Sequence, residues 1–393
     1  MNTSLLRTLE TLRHDFARYA WLHRLYSHVP DSLRVPEVEE DDSSQLKVAE
    51  PVVIEWPSDV KKPAIGLVKD AHPVHPSWTK YQRFCQTDAI SFGFLKIHDH
   101  DWLEKVRAYD IVVGHPSSSP SRLDELWRKT YIMERWLGKR CYPSTDDLAL
   151  YEDKHMQHDI LRELKFPVIP TWVCYDEKDA LRLAGKLQYP VVSKLITAAG
   201  SRGVELLQNR GAAERVIRRA FSARGRYWHW PYLRQKDYIL FQKFLATDGY
   251  DTRVICLGDM MFGYYRKPRK GDFRASGSGI WEKRSLPESI LRIAHSVTQA
   301  LQAPYLSVDF LSSTAGEQFI TEIAHFNLIE TAEQLHVEGV PGVYEMGLAG
   351  TIRFRPGRFW VQELALKRVC EQYLRAQRAR RPALSPHVTG TNP

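Results

Sequence analysis

The sequence predicts an α/β plus α+β protein: an N-terminal α/β domain followed by a mixed, two-lobed unit. Three observations predict it. At 393 residues the chain is too long for one ordinary core. From about Pro51, short apolar runs alternate with helical stretches, the rhythm of a parallel sheet covered on both faces. From Tyr151 the rhythm changes to strands joined by Gly-bearing turns, which favours antiparallel hairpins.

The elements follow in order. Leu5, Leu6, Leu9, Leu12, Phe16, Ala20 and Leu25 give the first segment an apolar helical stripe that needs a surface to cover, on its own chain or on a twin. Pro30 to Ser44, with its acidic run from Glu37 to Asp42, reads as a solvated linker. Strands are expected at 64–68, 92–97, 109–114 and 140–143, with helices around 80–86, from 102 and over 121–137. No G-x-G-x-x-G follows the first strand, so dinucleotide binding has no support. The next unit should hold helices over 153–164, 177–187 and 287–302. Its strands should cover 167–173, 190–195, 204–207, 238–244, 251–257, 260–265, 306–311 and 318–323. A basic helix should begin near Arg358 and end in a disordered tail. The expected division is 1–50, 51–150, 151–350 and 351–393.

Composition excludes little. The net charge is +8, which suits anionic partners without choosing among them. Five dispersed cysteines without a C-x-x-C pair favour reduced thiols in a cytoplasmic protein. No signal peptide and no transmembrane segment are expected, since charges interrupt every apolar stretch.

Several clusters could do chemistry. Lys194 ends a buried strand and precedes a small-residue loop whose Gly200, Ser201 and Gly203 let backbone approach a polyphosphate. Asp251 and Arg253 share one strand face by period two. Arg266 to Arg274 is rich in cations and reads as an anion site. Asp309 and Glu322 fall on successive strands, where two acids inside apolar runs are expensive unless paired or metal-bound. The histidine pairs 72/75, 98/100 and 155/158 carry no metal-site spacing that stands above surface chemistry.

In this order the clusters resemble the ATP-grasp superfamily, and its carboxylate–amine ligases such as the ribosomal-protein glutamate ligase. Lys154 and Lys194 look like the two nucleotide lysines, and 197–203 resembles the flexible phosphate loop. Gln242, Lys243, Phe244 and Leu245 resemble the adenine hinge, and Asp251 and Arg253 sit at ribose and phosphate positions. The run from Asp272 to Gly279 is similar to one polysaccharide-associated branch of the superfamily. Asp309 and Glu322 resemble the metal carboxylates. Ala324 stands where the family often has Asn, leaving either His325 or Asn327 as a third ligand or a metal with fewer protein ligands, and Lys243 stands where the hinge often has Glu.

The resemblance implies that ATP and Mg²⁺ are the cofactors, that Asp309, Glu322 and Asn327 hold the metal, and that Arg253, Arg266 and Arg274 act as catalytic clamps. The implied activity activates a carboxylate as an acyl phosphate and joins it to an amine. A hydroxyl kinase and a nucleotide-dependent binder of an acidic polymer are the rivals. The expected partners are a small-molecule or polymer-linked carboxylate and an amine. No nucleic-acid partner is expected, and a homodimer is a candidate assembly.

Overall fold

The computed structural model describes residues 46–70, 76–117, 120–198, 203–227 and 234–380. The first amphipathic helix, the acidic linker, Gly200, Ser201 and the last residues of the tail lie outside them.

The first unit comprises β1 (Ile65–Leu67), α1 (Ser77–Thr87), β2 (Phe92–Phe94), α2 (Trp102–Lys105), β3 (Ile111–Val113), α3 (Pro120–Arg135), β4 (Arg140–Tyr142) and α4 (Thr145–Leu150). Its strands run parallel in the order β2-β1-β3-β4. Ile65, Leu67, Ile111 and Val113 are buried, as strands covered on both faces require. A capping box at Ser144 and Asp147 starts α4 and satisfies two otherwise orphaned amides.

The second unit is a small lobe of α5 (Lys154–Glu163), β5 (Thr171–Cys174), α6 (Glu177–Ala184), β6 (Val191–Lys194), β7 (Glu205–Leu207), α7 (Arg210–Ala220), β8 (Arg226–Tyr227), β9 (Arg234–Gln235) and β10 (Ile239–Lys243). Its main sheet is antiparallel, β5-β10-β6-β7. The return strand predicted at 204–207 pairs with β6 as a hairpin partner. The helix α7 went unread, although Ala213, Val216, Ile217 and Ala220 form a buried stripe at helical spacing behind an Asn209 cap.

The third unit is a large antiparallel sheet. It holds β11 (Thr247–Leu257), β12 (Met260–Arg266), β13 (Trp281–Glu282), α8 (Glu288–Ala300), β14 (Leu306–Ser313), β15 (Gln318–Ala324), β16 (His336–Val337), β17 (Val340–Met346), β18 (Ile352–Pro356) and α9 (Val361–Arg380). The order along the sheet is β15-β14-β11-β12-β17-β16, with β13 on β12 and β18 on β17. The β17–β18 hairpin crosses position 350, so the sheet continues to Pro356.

Two cores result. Ile65, Phe84, Phe262, Phe310, Leu366 and Val369 belong to one core that joins the parallel sheet, the large sheet and α9. Each fully buried Phe contributes roughly 1.5–3 kcal/mol to it. The small lobe has its own core around Ala180, Val191, Ile217 and Phe241. The basic helix predicted from Arg358 is therefore structural over its first half: Trp360, Val361, Ala365 and Cys370 are buried, and Glu363 bonds Arg83 of α1. All five cysteines are buried and unbridged. Among the described residues, no helix is long and apolar enough to cross a membrane.

Candidate active site

A cleft separates the small lobe from β15 of the large sheet. Leu161, Val168, Ile169, Leu240 and Ile320 give it apolar walls, and Lys154, Lys194, Thr171, Gln242 and Glu322 supply polar groups. An apolar slot with a few convergent polar groups is the usual form of a small-molecule site.

The two lysines enter from different elements. Asp153 caps α5 by accepting from His155 N and Met156 N, which sets Lys154 in the first turn. Lys154 N donates to Ile196 O at 3.2 Å, and its Nζ lies 2.5 Å from Ala198 O and 3.2 Å from Glu322 Oε1. Lys194 ends β6, and burial pulls its pKa from 10.5 down to about 8 against the opposing pull of Glu322. The backbone beyond it is tied from three sides. Tyr238 Oη accepts from Ile196 N, Gln235 Nε2 donates to Thr197 O, and Arg226 donates to Lys194 O, Gly203 O and Glu205. Gly203 has φ +67, and a Cβ there would stand 2.4 Å from the Leu195 side chain, so the loop returns through a position that only Gly fills without strain. Arg226, Gln235 and Tyr238 escaped sequence reading, since nothing in their local pattern marks a residue that anchors a distant turn.

The large sheet presents its charges as register-matched rows. Arg266 of β12 pairs with Asp251 of β11, Arg253 of β11 with Asp309 of β14, and Asp309 with Glu322 of β15. Cross-strand partners share a face, and Asp251 and Arg253 stand two apart on β11, so the five side chains lie on one face in two adjacent rows. Arg253 holds Asp309 bidentately at 2.7 and 2.8 Å, and Arg266 Nη2 bridges Asp251 and Asp309 at 2.6 Å each. Burial pushes the Asp309 carboxyl up, but the Arg253 and Arg266 guanidinia prevail and hold it far below the ordinary carboxylate range. Asp251 shifts the other way, because burial and the neighbouring Asp309 outweigh Arg266. Among the described residues, Asp251 Oδ1 and Arg266 Nε are buried without a hydrogen-bond partner.

The remaining expected residues are placed as follows. Gln242 lines the cleft and donates to Thr171 Oγ1 at 2.9 Å. Lys243 is exposed, and ladder pairing stops there, so Phe244 and Leu245 leave the sheet beside the cleft. Arg274 lies in the loop after β12, and its guanidinium bonds Asp272 at 2.8 Å, apart from the buried row. In that loop Phe273 packs edge-on against Phe244 with centroids 6.2 Å apart. Asn327 Oδ1 accepts from Tyr305 Oη at 2.8 Å, and His325 faces Asp147 at 3.3 Å. Among the described residues no group of three or more His, Cys, Asp or Glu side chains could hold a metal ion.

The donor chemistry still suits a nucleotide and a hard cation. Two cationic amines fit a polyphosphate. Adjacent Asp309 and Glu322 fit Mg²⁺, which keeps waters and phosphate oxygens instead of demanding a full protein cage. The row must loosen for this, because both Asp309 oxygens accept from arginine.

The Lys194 shift has a measurable sign. Below pH about 8 the free site carries the charge, and above it the amine is neutral. A bound polyphosphate raises that pKa, so ATP binding above pH 8 takes up a proton. Calorimetric ATP affinity is expected to stay level from pH 6.5 to about 8, then to fall by up to about tenfold per pH unit. A flat profile through pH 9.5 contradicts the assignment.

Residues 151–336 match the family described as the RimK-like ATP-grasp domain. D-cycloserine synthetase DcsG is 16% identical over 79% of this chain and 99% of its own, with a TM-score of 0.53, and shares the fold. D-alanine–D-alanine ligase from Bacillus anthracis is 14% identical over 81% of this chain and 99% of its own, with a TM-score of 0.48. A RimK domain ATP-grasp protein from Sphaerobacter thermophilus is 14% identical over 66% and 90%, with a TM-score of 0.45.

Proposed function

We propose, on the premise that residues 151–336 form a RimK-like ATP-grasp domain, that this chain is an ATP- and Mg²⁺-dependent ligase joining a carboxylate to an amine. One observation carries the reading: Lys154 and Lys194 of the small lobe meet Glu322 of the large sheet across one cleft, and Glu322 stands beside Asp309. Cations on one wall, and on the other a carboxylate with a second behind it, are what a metal-bound triphosphate needs. ATP supplies the phosphoryl group that activates the substrate carboxylate.

The chain's own residues do the rest. Lys194, Lys154 and the 197–203 backbone orient the phosphates. The apolar walls take the base, with hinge backbone at Lys243 to Leu245 reading its edge. Asp309 and Glu322 hold Mg²⁺. Arg266, buried, and Arg253, half-buried beside them, stabilise charge that develops on the transferring group, where low dielectric makes fixed cations effective. Arg274 would join them only if its loop closed toward the row. The net charge of +8 favours an anionic substrate, free or polymer-linked.

The test is a screen of amino acids and sugar acids, in pairs, for ADP release with Mg-ATP, with mass spectrometry of the product. An amide supports the ligase. A stable phosphomonoester assigns a kinase instead, and no substrate-stimulated ADP release in a protein that binds ATP leaves a binding role.

A further inference from the structure

The parallel sheet of the first unit has a feature the nucleotide cleft does not use. Its order β2-β1-β3-β4 sends the chain from β1 to one side and from β3 to the other. The crevice at the carboxyl ends of such a strand pair is where open α/β sheets bind ligands. Asp70 follows β1 and His115 follows β3, so both stand at that end. Asp70 is 4% exposed, and its two oxygens accept from Ser77 N and Trp78 N at the start of α1. His115 Nδ1 lies 2.9 Å from Pro116 O. A carbonyl can only accept, so Nδ1 carries the hydrogen and the neutral ring leaves Nε2 as a bare acceptor. That lone pair faces Asp70 Oδ2 at 3.5 Å.

Two acceptors held face to face in a nearly dry site repel unless a hydrogen lies between them. Protonating the ring would supply it, but burial opposes that and holds the His115 pKa below 6.5 despite Asp70. Among the described residues, His115 Nε2, Ser77 Oγ and Trp78 Nε1 are all buried without a hydrogen-bond partner. The crevice also abuts the nucleotide-facing unit. His115 packs on Phe326, centroids 4.2 Å apart, four residues beyond Glu322, and neighbouring Asn327 accepts from Tyr305.

We propose that Asp70 and His115 bind the ammonium group of the amine co-substrate, and that His115 Nε2 takes the proton this amine must lose before it attacks. The proposal rests on the ligase reading and extends it to a named acceptor site. The balance is simple. An R-NH₃⁺ bridging Asp70 Oδ2 and His115 Nε2 gives one proton to Nε2 and becomes R-NH₂. Its nitrogen lone pair forms the C–N bond at the activated carboxyl carbon. The C–O bond to phosphate breaks, phosphate leaves with that electron pair, and it accepts the second N–H proton. The ligand class is a primary ammonium.

The test uses full-length protein labelled with ¹⁵N-histidine, titrated with methylammonium chloride and, separately, tetramethylammonium chloride. The His115 signal is assigned by its loss in His115→Gln. A saturable shift of His115 Nε2 with methylammonium, absent with tetramethylammonium, which has no hydrogen to donate, and absent in Asp70→Asn, is expected. No saturable shift, equal shifts with both salts, or an unaltered shift in Asp70→Asn overturns the proposal. Should Asp70→Asn not fold, the contrast between the two salts decides alone. A kinetic arm separates the proton transfer. With the carboxylate that the screen returns, His115→Gln should lose amide formation by about 10²-fold or more. It should keep hydroxamate formation with hydroxylamine, which is uncharged near neutral pH. Equal loss of both products overturns the proton-acceptor role. Failure of the unaltered protein to bind Mg-ATP is failure of the ligase reading, and the salt titration, which contains no nucleotide, still decides the ammonium site.

Discussion

Asp309→Asn should cost the protein roughly 3–5 kcal/mol of folding stability, the usual result of removing one partner from a buried ion pair. Asp309 is 4% exposed and neutralises Arg253 alone and Arg266 in part. Asparagine keeps the shape but leaves Arg253 without its anion in a low-dielectric layer, and Arg266 with only Asp251. Glu322→Gln offers the contrast. Its side chain is 30% exposed at the cleft and touches Lys154, so stability should change by no more than about 0.5 kcal/mol. Urea titration followed by circular dichroism separates the two. Both variants should lose ligase turnover, and the double variant should be little worse than either, because groups that act as one unit are not additive. An Asp309→Asn protein as stable as its parent would refute the charge row. Turnover retained at ordinary Mg²⁺ would refute the metal role. A carboxylate whose folded pKa is depressed stabilises the fold fully above its unfolded pKa of about 4, and that contribution is lost progressively as pH falls from there through the depressed folded value.

Lys194→Ala should weaken Mg-ATP binding by at least about tenfold. A charge-assisted contact is worth roughly 1.5–3 kcal/mol, and each 1.4 kcal/mol is tenfold in affinity. The same substitution has a second, opposite signature. A lysine whose folded pKa is depressed to about 8 holds its charge at the expense of the free fold at neutral pH. That penalty fades as pH rises from 8 toward 10.5, where the unfolded chain also loses its proton. Removing the amine should therefore spare the free protein from part of this penalty while abolishing most of the thermal shift that ATP produces. Isothermal calorimetry and a thermal melt with and without Mg-ATP read both. Unchanged affinity in a folded variant would exclude Lys194 from the phosphate grip.

Much of the fold was legible because it is local. Apolar runs such as Ile65–Leu67 and Val191–Lys194 are short, strongly patterned and bounded by turn residues, so strand and helix order follows from the chain. The missed elements were weakly patterned. Half of the α7 stripe is alanine, and β17 contains Pro341 and Gly342, which discourage a strand reading. The site was legible in part for the same reason. Lys194 at a strand end, and Asp309 and Glu322 inside apolar strands, stand out wherever the chain goes, because an unpaired charge in such a setting is costly.

Local pattern therefore sets the order of elements, the change from parallel to antiparallel architecture near Tyr151, and which charged residues lie on strand faces. Period two put Asp251 and Arg253 on one side, but it could not say what they meet. Long-range folding alone makes Arg266, at the end of β12, bridge Asp251 and Asp309, turns Arg274 onto Asp272 instead, and leaves Asn327 to Tyr305. It also decided that Asp70 and His115, far apart in sequence, face each other at 3.5 Å. The reason is physical. Cross-strand register and sheet order are set by long-range burial and hydrogen bonding, and the pairing of buried charges is settled only when those distant strands close on one another.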